Sequence, residues 1–216
     1  MKITIYDSEI KDGLEQAIAS SASIAFATPV SMSKMSKSEE AIARDMAIDR
    51  LLSKAESNPD QFDLYYLDSV LVSTGWNKND DVFGRTEIWG ARKTPEDKPF
   101  NFMHDEKDII GHITSSMVLD EERNAISEDT QPEDLPHRFD IITSAVLYNS
   151  WSDPELRGRM DKIISEIEEG KWYVSMECLF AGFDYALIDK TGNHKVLARD
   201  QGSAFLTKHL RAYGGS

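Results

Sequence analysis

The chain has 216 residues, 40% of them hydrophobic, enough to fill the core of one ordinary domain that folds unaided. Its 24 Lys+Arg against 38 Asp+Glu give a formal net charge of -14, so a phosphate backbone meets repulsion over most of the surface and nucleic-acid binding is not expected. Cys178 is the lone cysteine, which rules out an internal disulfide, and no Cys/His spacing reads as a structural zinc site; a reducing cytoplasm suits such a chain.

The opening Met1-Lys2-Ile3-Thr4-Ile5-Tyr6 lacks the continuous apolar stretch of a signal peptide, and no later run approaches the roughly 18 apolar residues of a membrane span. A soluble protein made in a cytosol is the expectation. Alternation over Lys2 to Tyr6 predicts a strand, and the Ser/Ala/Met-rich tract Ala19 to Ser38, interrupted by Pro29, predicts a loop or arm. Ser36 and Glu39 form a capping box, and Ile48, Leu51, Leu52 and Ala55 recur at helical spacing until Asn58-Pro59, which predicts a helix.

Dense Leu, Tyr and Val from Phe62 to Thr74, and Ile88-Trp89 within Arg85 to Ala91, predict two strands. Further strands are expected at Ile109 to Val118, Asp140 to Tyr148, Lys171 to Phe180, Tyr185 to Ile188 and Lys195 to Leu197. The acidic stretch Glu121 to Arg138, with Pro132 and Pro136, reads as an exposed loop. Asp153 caps a helix with Pro154 at its first position and a stripe of Leu156, Met160, Ile163, Ile164 and Ile167 that stops before Gly170. A last helix is predicted from Ser203, with Phe205, Leu206 and Leu210 inward and Gly214-Gly215 at its end. The whole, 1–216, is expected to be one mainly β domain with helices, an α+β fold.

The most informative segment for chemistry is Lys171 to Phe180. On a strand, Val174, Met176, Cys178 and Phe180 share one face, while Tyr173, Ser175 and Glu177 share the other. The thiol then lies in an apolar row and the hydroxyl on a polar side, so Ser175 is preferred to Cys178 as a nucleophile. His104, at a loop edge ahead of a predicted strand, is placed where a base reaches a neighbouring strand. A competing use of His104, Asp105, Asp108 and His112 is a metal-dependent phosphohydrolase, and a non-enzymatic scaffold or capsid-associated protein also accounts for the acidity and the Ser/Met-rich arm.

The blocks Pro99-Phe100-Asn101-Phe102-Met103-His104-Asp105, Ile109-Ile110-Gly111, Val174-Ser175-Met176-Glu177 and Ala204 to Gly215, in that order, resemble the prohead core proteases of tailed bacteriophages, relatives of the herpesvirus assemblin-type serine proteases. The resemblance runs from about Asp63 to the C-terminus. It implies a mostly antiparallel β-barrel of about seven strands ringed by helices. It also implies a maturation endopeptidase that works inside the assembling prohead in the host cytoplasm, cleaving scaffold and core proteins, the major capsid protein and itself, with no cofactor and no metal. Membrane association is not expected, and a homo-oligomer is an open possibility.

In such proteases a third residue about two dozen positions after the serine orients the histidine, and Asp200 fits that place. Glu177, Asp184 and Asp189 compete for the role. Arg199 is the local candidate for oxyanion support. The family preference for glutamate before the cut implies a cation beside Ser175, from among Lys190, Lys195, Arg199, Lys208 and Arg211.

Overall fold

In chain order the elements are α1 (Asp7–Lys11), α2 (Glu15–Ser20), β1 (Ser23–Ala27), β2 (Leu64–Ser73), β3 (Gly75–Trp76), β4 (Val82–Phe83), α3 (Arg85–Ala91), β5 (Pro99–Asn101), β6 (Ile109–Asp120), β7 (Phe139–Tyr148), α4 (Pro154–Glu168), β8 (Ser175–Leu179), β9 (Tyr185–Ile188) and β10 (His194–Leu197). Two 3-10 turns, Ala204–His209 and Arg211–Tyr213, follow. The computed structural model describes residues 3–20, 23–27, 64–77 and 80–215. The helix expected between Ser36 and Ala55 lies outside them. The chain is mixed α+β, as expected, and separates into two units.

The larger unit, Ala27–Gly75 with Phe83–Ser175, is built on a four-stranded antiparallel sheet of order β2-β7-β6-β5. Residues dense in Val, Ile and Leu make β6 and β7 long and buried, as the sequence predicts for both. Across the sheet Ser69, Thr143 and Ser116 stand in register, and the Ser69 and Thr143 hydroxyls bond at 3.2 Å, which satisfies polar groups buried among apolar neighbours. Gly111 is required by close approach, because a Cβ there would stand 2.0 Å from the Val146 carbonyl oxygen.

One face of this sheet is covered by α4, through a core of Ile110, Leu147, Met160 and Ile163. The Asp153 carboxylate accepts from the Glu155 and Leu156 amides at 2.8 and 3.3 Å, Pro154 opens the helix, and Gly170 at φ +72° closes it, as its sequence predicts. Among the described residues the strands do not close into a barrel. The order β2-β7-β6-β5 does not return on itself, and the remaining strands pair only as β1-β8, β3-β4 and β9-β10.

Local expectations are corrected at several places. Arg85–Ala91 is the helix α3 rather than a strand: Ile88 and Trp89 are consecutive yet both buried, because Trp89 packs edge-on against Phe139 at 6.2 Å while the Arg92 guanidinium covers its ring at 4.0 Å. The strand expected over Lys2 to Tyr6 does not form over residues 3–6; Tyr6 caps α1, its amide donating to Glu9 Oε2 at 2.9 Å. In the tract read as an arm, α2 runs through Ser20 and β1 occupies Ser23–Ala27. The strand expected from Lys171 begins only at Ser175. Past Ser203 the chain winds as 3-10 turns, whose period of three buries Ala204 and Thr207 and leaves Phe205 51% exposed instead of inward.

The smaller unit, Met1–Phe26 with Trp76–Val82 and Met176–Ser216, is organised by a buried ion pair. The Glu9 carboxylate accepts from Arg199 Nε and Nη2 at 2.8 and 2.7 Å, from the Thr207 hydroxyl at 2.6 Å and from the Tyr6 amide, and both charged side chains are almost fully enclosed. Arg199 Nη2 also donates to the Thr4 carbonyl, and its guanidinium lies over the rings of Tyr6 and Phe183 at 4.9 and 4.6 Å. Burial alone would push the Glu9 carboxyl up, but the bonds from Arg199, Thr207 and Tyr6 outweigh it and hold it below the ordinary carboxylate range.

Glu9→Gln leaves Arg199 buried without its counter-charge, and chemical denaturation should show a loss of about 3–5 kcal/mol. Because the folded-state pKa of Glu9 is depressed, its contribution is complete above the unfolded value and is lost as pH falls through the folded one. Wild type should therefore lose more stability on acidification than Glu9→Gln; parallel loss by both proteins would contradict this.

Candidate active site

The segment between β5 and β6 is a tight turn carrying His104. The Phe102 amide donates to the Asp108 carbonyl at 2.9 Å, and the Asp105 amide donates to the Phe102 carbonyl at 3.0 Å. To complete the reversal Met103 and His104 both adopt left-handed backbone, φ 54° and 61°, a conformation that costs non-glycine residues of order 1 kcal/mol each. Both side chains face solvent at this tip. Met103 is 73% exposed and His104 is exposed, with no side-chain hydrogen bond or ion pair to any described residue. The imidazole is thus presented at a hairpin tip, the loop-edge placement its sequence position suggests.

Two anchors fix that tip. Arg159 on α4 grips the Asp108 carboxylate with both terminal nitrogens, at 2.9 and 2.5 Å, and this ion pair raises the already high guanidinium pKa further. The same guanidinium lies 4.9 Å from the Phe102 ring, which meets Trp172 edge-on at 5.0 Å. Trp172 is oriented in turn by its indole N–H, which donates to Glu166 at 2.8 Å. A small cleft of about 150 Å³ opens beside the anchor, lined by Lys107, Ile109, Trp151, Leu156 and Arg159.

Trp172 stands three residues before Ser175, the first residue of β8. Val174 is 8% exposed and Tyr173 61% exposed, but both precede β8; within the strand Ser175, Met176 and Cys178 are all half-buried and Glu177 is exposed, so burial does not set the serine apart from the expected apolar row. Ser175 itself is half-buried and its side chain or backbone is engaged with the surrounding structure. The Phe102–Trp172 contact joins the β5–β6 turn to the segment ahead of β8, but His104 makes no hydrogen bond to Ser175. Cys178 is half-buried, and burial, with Asp81 and Glu177 adding repulsion, pushes its thiol up, which disfavours the thiolate a cysteine nucleophile needs.

Asp200 closes a turn. Its Oδ1 accepts from the Gly202 and Ser203 amides at 2.8 and 3.0 Å and lies 3.2 Å from the Ser203 hydroxyl, bonds that hold the carboxyl below its ordinary range; its Oδ2 takes no hydrogen bond from a described residue. The competitors are occupied to different degrees. Asp184 Oδ1 accepts the Arg199 amide at 3.0 Å, Asp189 is held well below the usual carboxylate range by Thr191 and Asn193 in its own turn, and Glu177 is exposed.

Arg199, proposed from sequence as oxyanion support, is instead committed to Glu9 and Thr4. Of the other cations considered for an acidic substrate residue, Lys208 pairs with Asp12 and Arg211 with Asp80, while Lys190 and Lys195 are exposed and make no ion pair with a described residue.

The alternative metal set does not converge. Asp105 accepts the Lys107 amide at 2.9 Å, Asp108 is taken by Arg159, and His112 Nδ1 bonds the Tyr148 hydroxyl at 2.9 Å on the sheet. Among the described residues no group of three or more His, Cys, Asp or Glu is placed to hold an ion. Sequence reasoning missed Arg159 and Trp172. For Arg159 there was no local signal, because its partner lies 51 residues away; for Trp172 the signal was a bulky aromatic just ahead of the candidate nucleophile.

Phe102→Ala removes the ring that bridges Arg159 and Trp172. Denaturant titration should show a loss of about 2 kcal/mol, below the cost of a fully buried phenylalanine because this one is half-buried. Hydrogen exchange of the Asp105 and Asp108 amides should quicken together; unchanged exchange would show that the contact does not hold the tip.

Comparison with protein-family models, with curated proteins and with solved structures finds no match for this chain.

Proposed function

We propose that this chain is a serine endopeptidase of the prohead-maturation type, with Ser175 as nucleophile and His104 as its base. The observation that supports the proposal is the contact of Phe102 with Trp172, which joins the turn carrying His104, exposed and without a hydrogen bond to a described residue, to the segment that leads into Ser175. In the proposed reaction Ser175 Oγ bonds to the scissile carbonyl carbon while its proton passes to the imidazole of His104. The imidazolium returns that proton to the departing amine, and water, deprotonated by the same ring, then releases the acyl group and restores the hydroxyl.

Asp200, whose Oδ1 closes its own turn, is proposed by its place after the serine as the orienting carboxylate. The substrates proposed are scaffold and core proteins, the capsid protein and the chain itself, acted on inside the assembling prohead. A purely structural role as a scaffold component is the contrasting reading, and activity separates the two.

Ser175→Ala should abolish processing of a co-expressed scaffold protein, while changing stability by no more than about 0.5 kcal/mol, since a half-buried hydroxyl is removed without opening a cavity. His104→Gln should lower kcat/KM by a factor on the order of 10³–10⁴. Folded Ser175→Ala protein that still processes the scaffold would refute the proposal, and so would wild type that never cleaves.

A further inference from the structure

The hairpin β9–β10 is a sheet of only two strands, registered as Ala186 with Val196 and Ile188 with His194. Paired residues share a face, so Ala186, Ile188, His194 and Val196 point one way and Tyr185, Leu187, Lys195 and Leu197 the other. The second face is anchored: Tyr185 is 1% exposed and its hydroxyl bonds Thr207 at 2.7 Å. The first face is open, with Ile188 54% and Val196 68% exposed, and Trp76, half in solvent, extends it by setting its indole edge against His194 at 6.2 Å.

The hairpin is also stiff. Asp189 accepts from the Thr191 amide and hydroxyl and from the Asn193 amide at 2.8, 2.6 and 2.9 Å, which ties the turn shut around Gly192 at φ +86°. A two-stranded sheet is marginal by itself, and an open strand edge beside an apolar face offers unpaired N–H and C=O groups to another chain. Of the two strands β10 is the more accessible, with His194, Lys195 and Val196 all exposed. Lys190 and Lys195, exposed and without ion pairs among the described residues, set two cations against the one carboxylate of Asp189 in this hairpin, on a chain of net charge -14.

We infer that the open edge of β10 binds an extended segment of a partner protein as a third strand. That segment alternates apolar side chains, which cover Val196, Ile188 and Trp76, with acidic ones, which meet Lys190 and Lys195. The rigid turn lowers the ordering cost of binding on this side. The inference is independent of the chemistry assigned to Ser175.

The test is fluorescence anisotropy of the full chain carrying Ser175→Ala, with a short fluorescein-labelled peptide of alternating valine and glutamate. Three controls accompany it: an alternating valine and lysine peptide, a serine and glutamate peptide, and a valine and glutamate peptide N-methylated at every second amide so that one edge cannot hydrogen-bond. The valine and glutamate peptide should bind, and each control should weaken binding by about tenfold or more. Val196→Glu and Lys195→Glu, both at exposed positions, should weaken it comparably while leaving the denaturation midpoint in place. No binding, binding indifferent to N-methylation, or binding unchanged in both variants overturns the inference. Concentration-dependent self-association abolished by Val196→Glu, without peptide binding, also overturns it and assigns the face to a second copy of the chain.

Discussion

The ion pair between Asp108 and Arg159, with the Phe102 ring set between that guanidinium and Trp172, holds the β5–β6 tip in its strained shape. A turn with two consecutive left-handed residues other than glycine does not persist unless its surroundings over-determine it. Here the surroundings are a helix core, through Met160 and Ile163 beside Arg159, and an aromatic edge contact to the segment that leads into β8. One salt bridge at half-exposed positions contributes little by itself. Its effect lies in geometry, since the same arginine is shared by a carboxylate and a ring, so the tip cannot shift without breaking both.

In the other unit a charge pair has a different task. Glu9 and Arg199 are taken out of water together and are surrounded by Thr207, Tyr6, Thr4 and Phe183, so that little of either is left unsatisfied. Such a pair adds little net stability over an apolar replacement, yet breaking one side leaves a buried charge. It specifies how α1 and the Ala204–His209 turn meet, and it removes Arg199 from the cations available to a substrate. The two cations of this stretch without an ion pair to a described residue, Lys190 and Lys195, lie on the open β9–β10 hairpin.

Elements whose causes are local were legible in the sequence. The strands β2, β6, β7, β9 and β10 follow from side-chain periodicity and β-branched content, and α4 follows from Asp153, Pro154 and Gly170 at its ends. Elements with distant causes were not. The N-terminal alternation reads as a strand, but Glu9 is claimed by an arginine 190 residues away and accepts the Tyr6 amide, so the segment ends as the cap of α1 instead of pairing in a sheet. Ile88-Trp89 reads as a strand until Phe139 and Arg92 enclose the tryptophan. The closed barrel implied by family resemblance is replaced, among the described residues, by an open four-stranded sheet. For the site, the exposed loop position of His104 was readable, whereas the anchors Arg159 and Trp172, which hold the tip, were not.

The proposed chemistry requires a nucleophilic serine activated by a specific histidine, and a covalent probe reports both at once. Wild-type protein is incubated with a fluorophosphonate, which phosphonylates activated serines, and the adduct is located by peptide mass spectrometry, in parallel with His104→Gln. The account predicts a single adduct on Ser175 that is lost in His104→Gln. An adduct on another serine, an adduct on Ser175 that persists without His104, or no adduct on well-folded protein would contradict it.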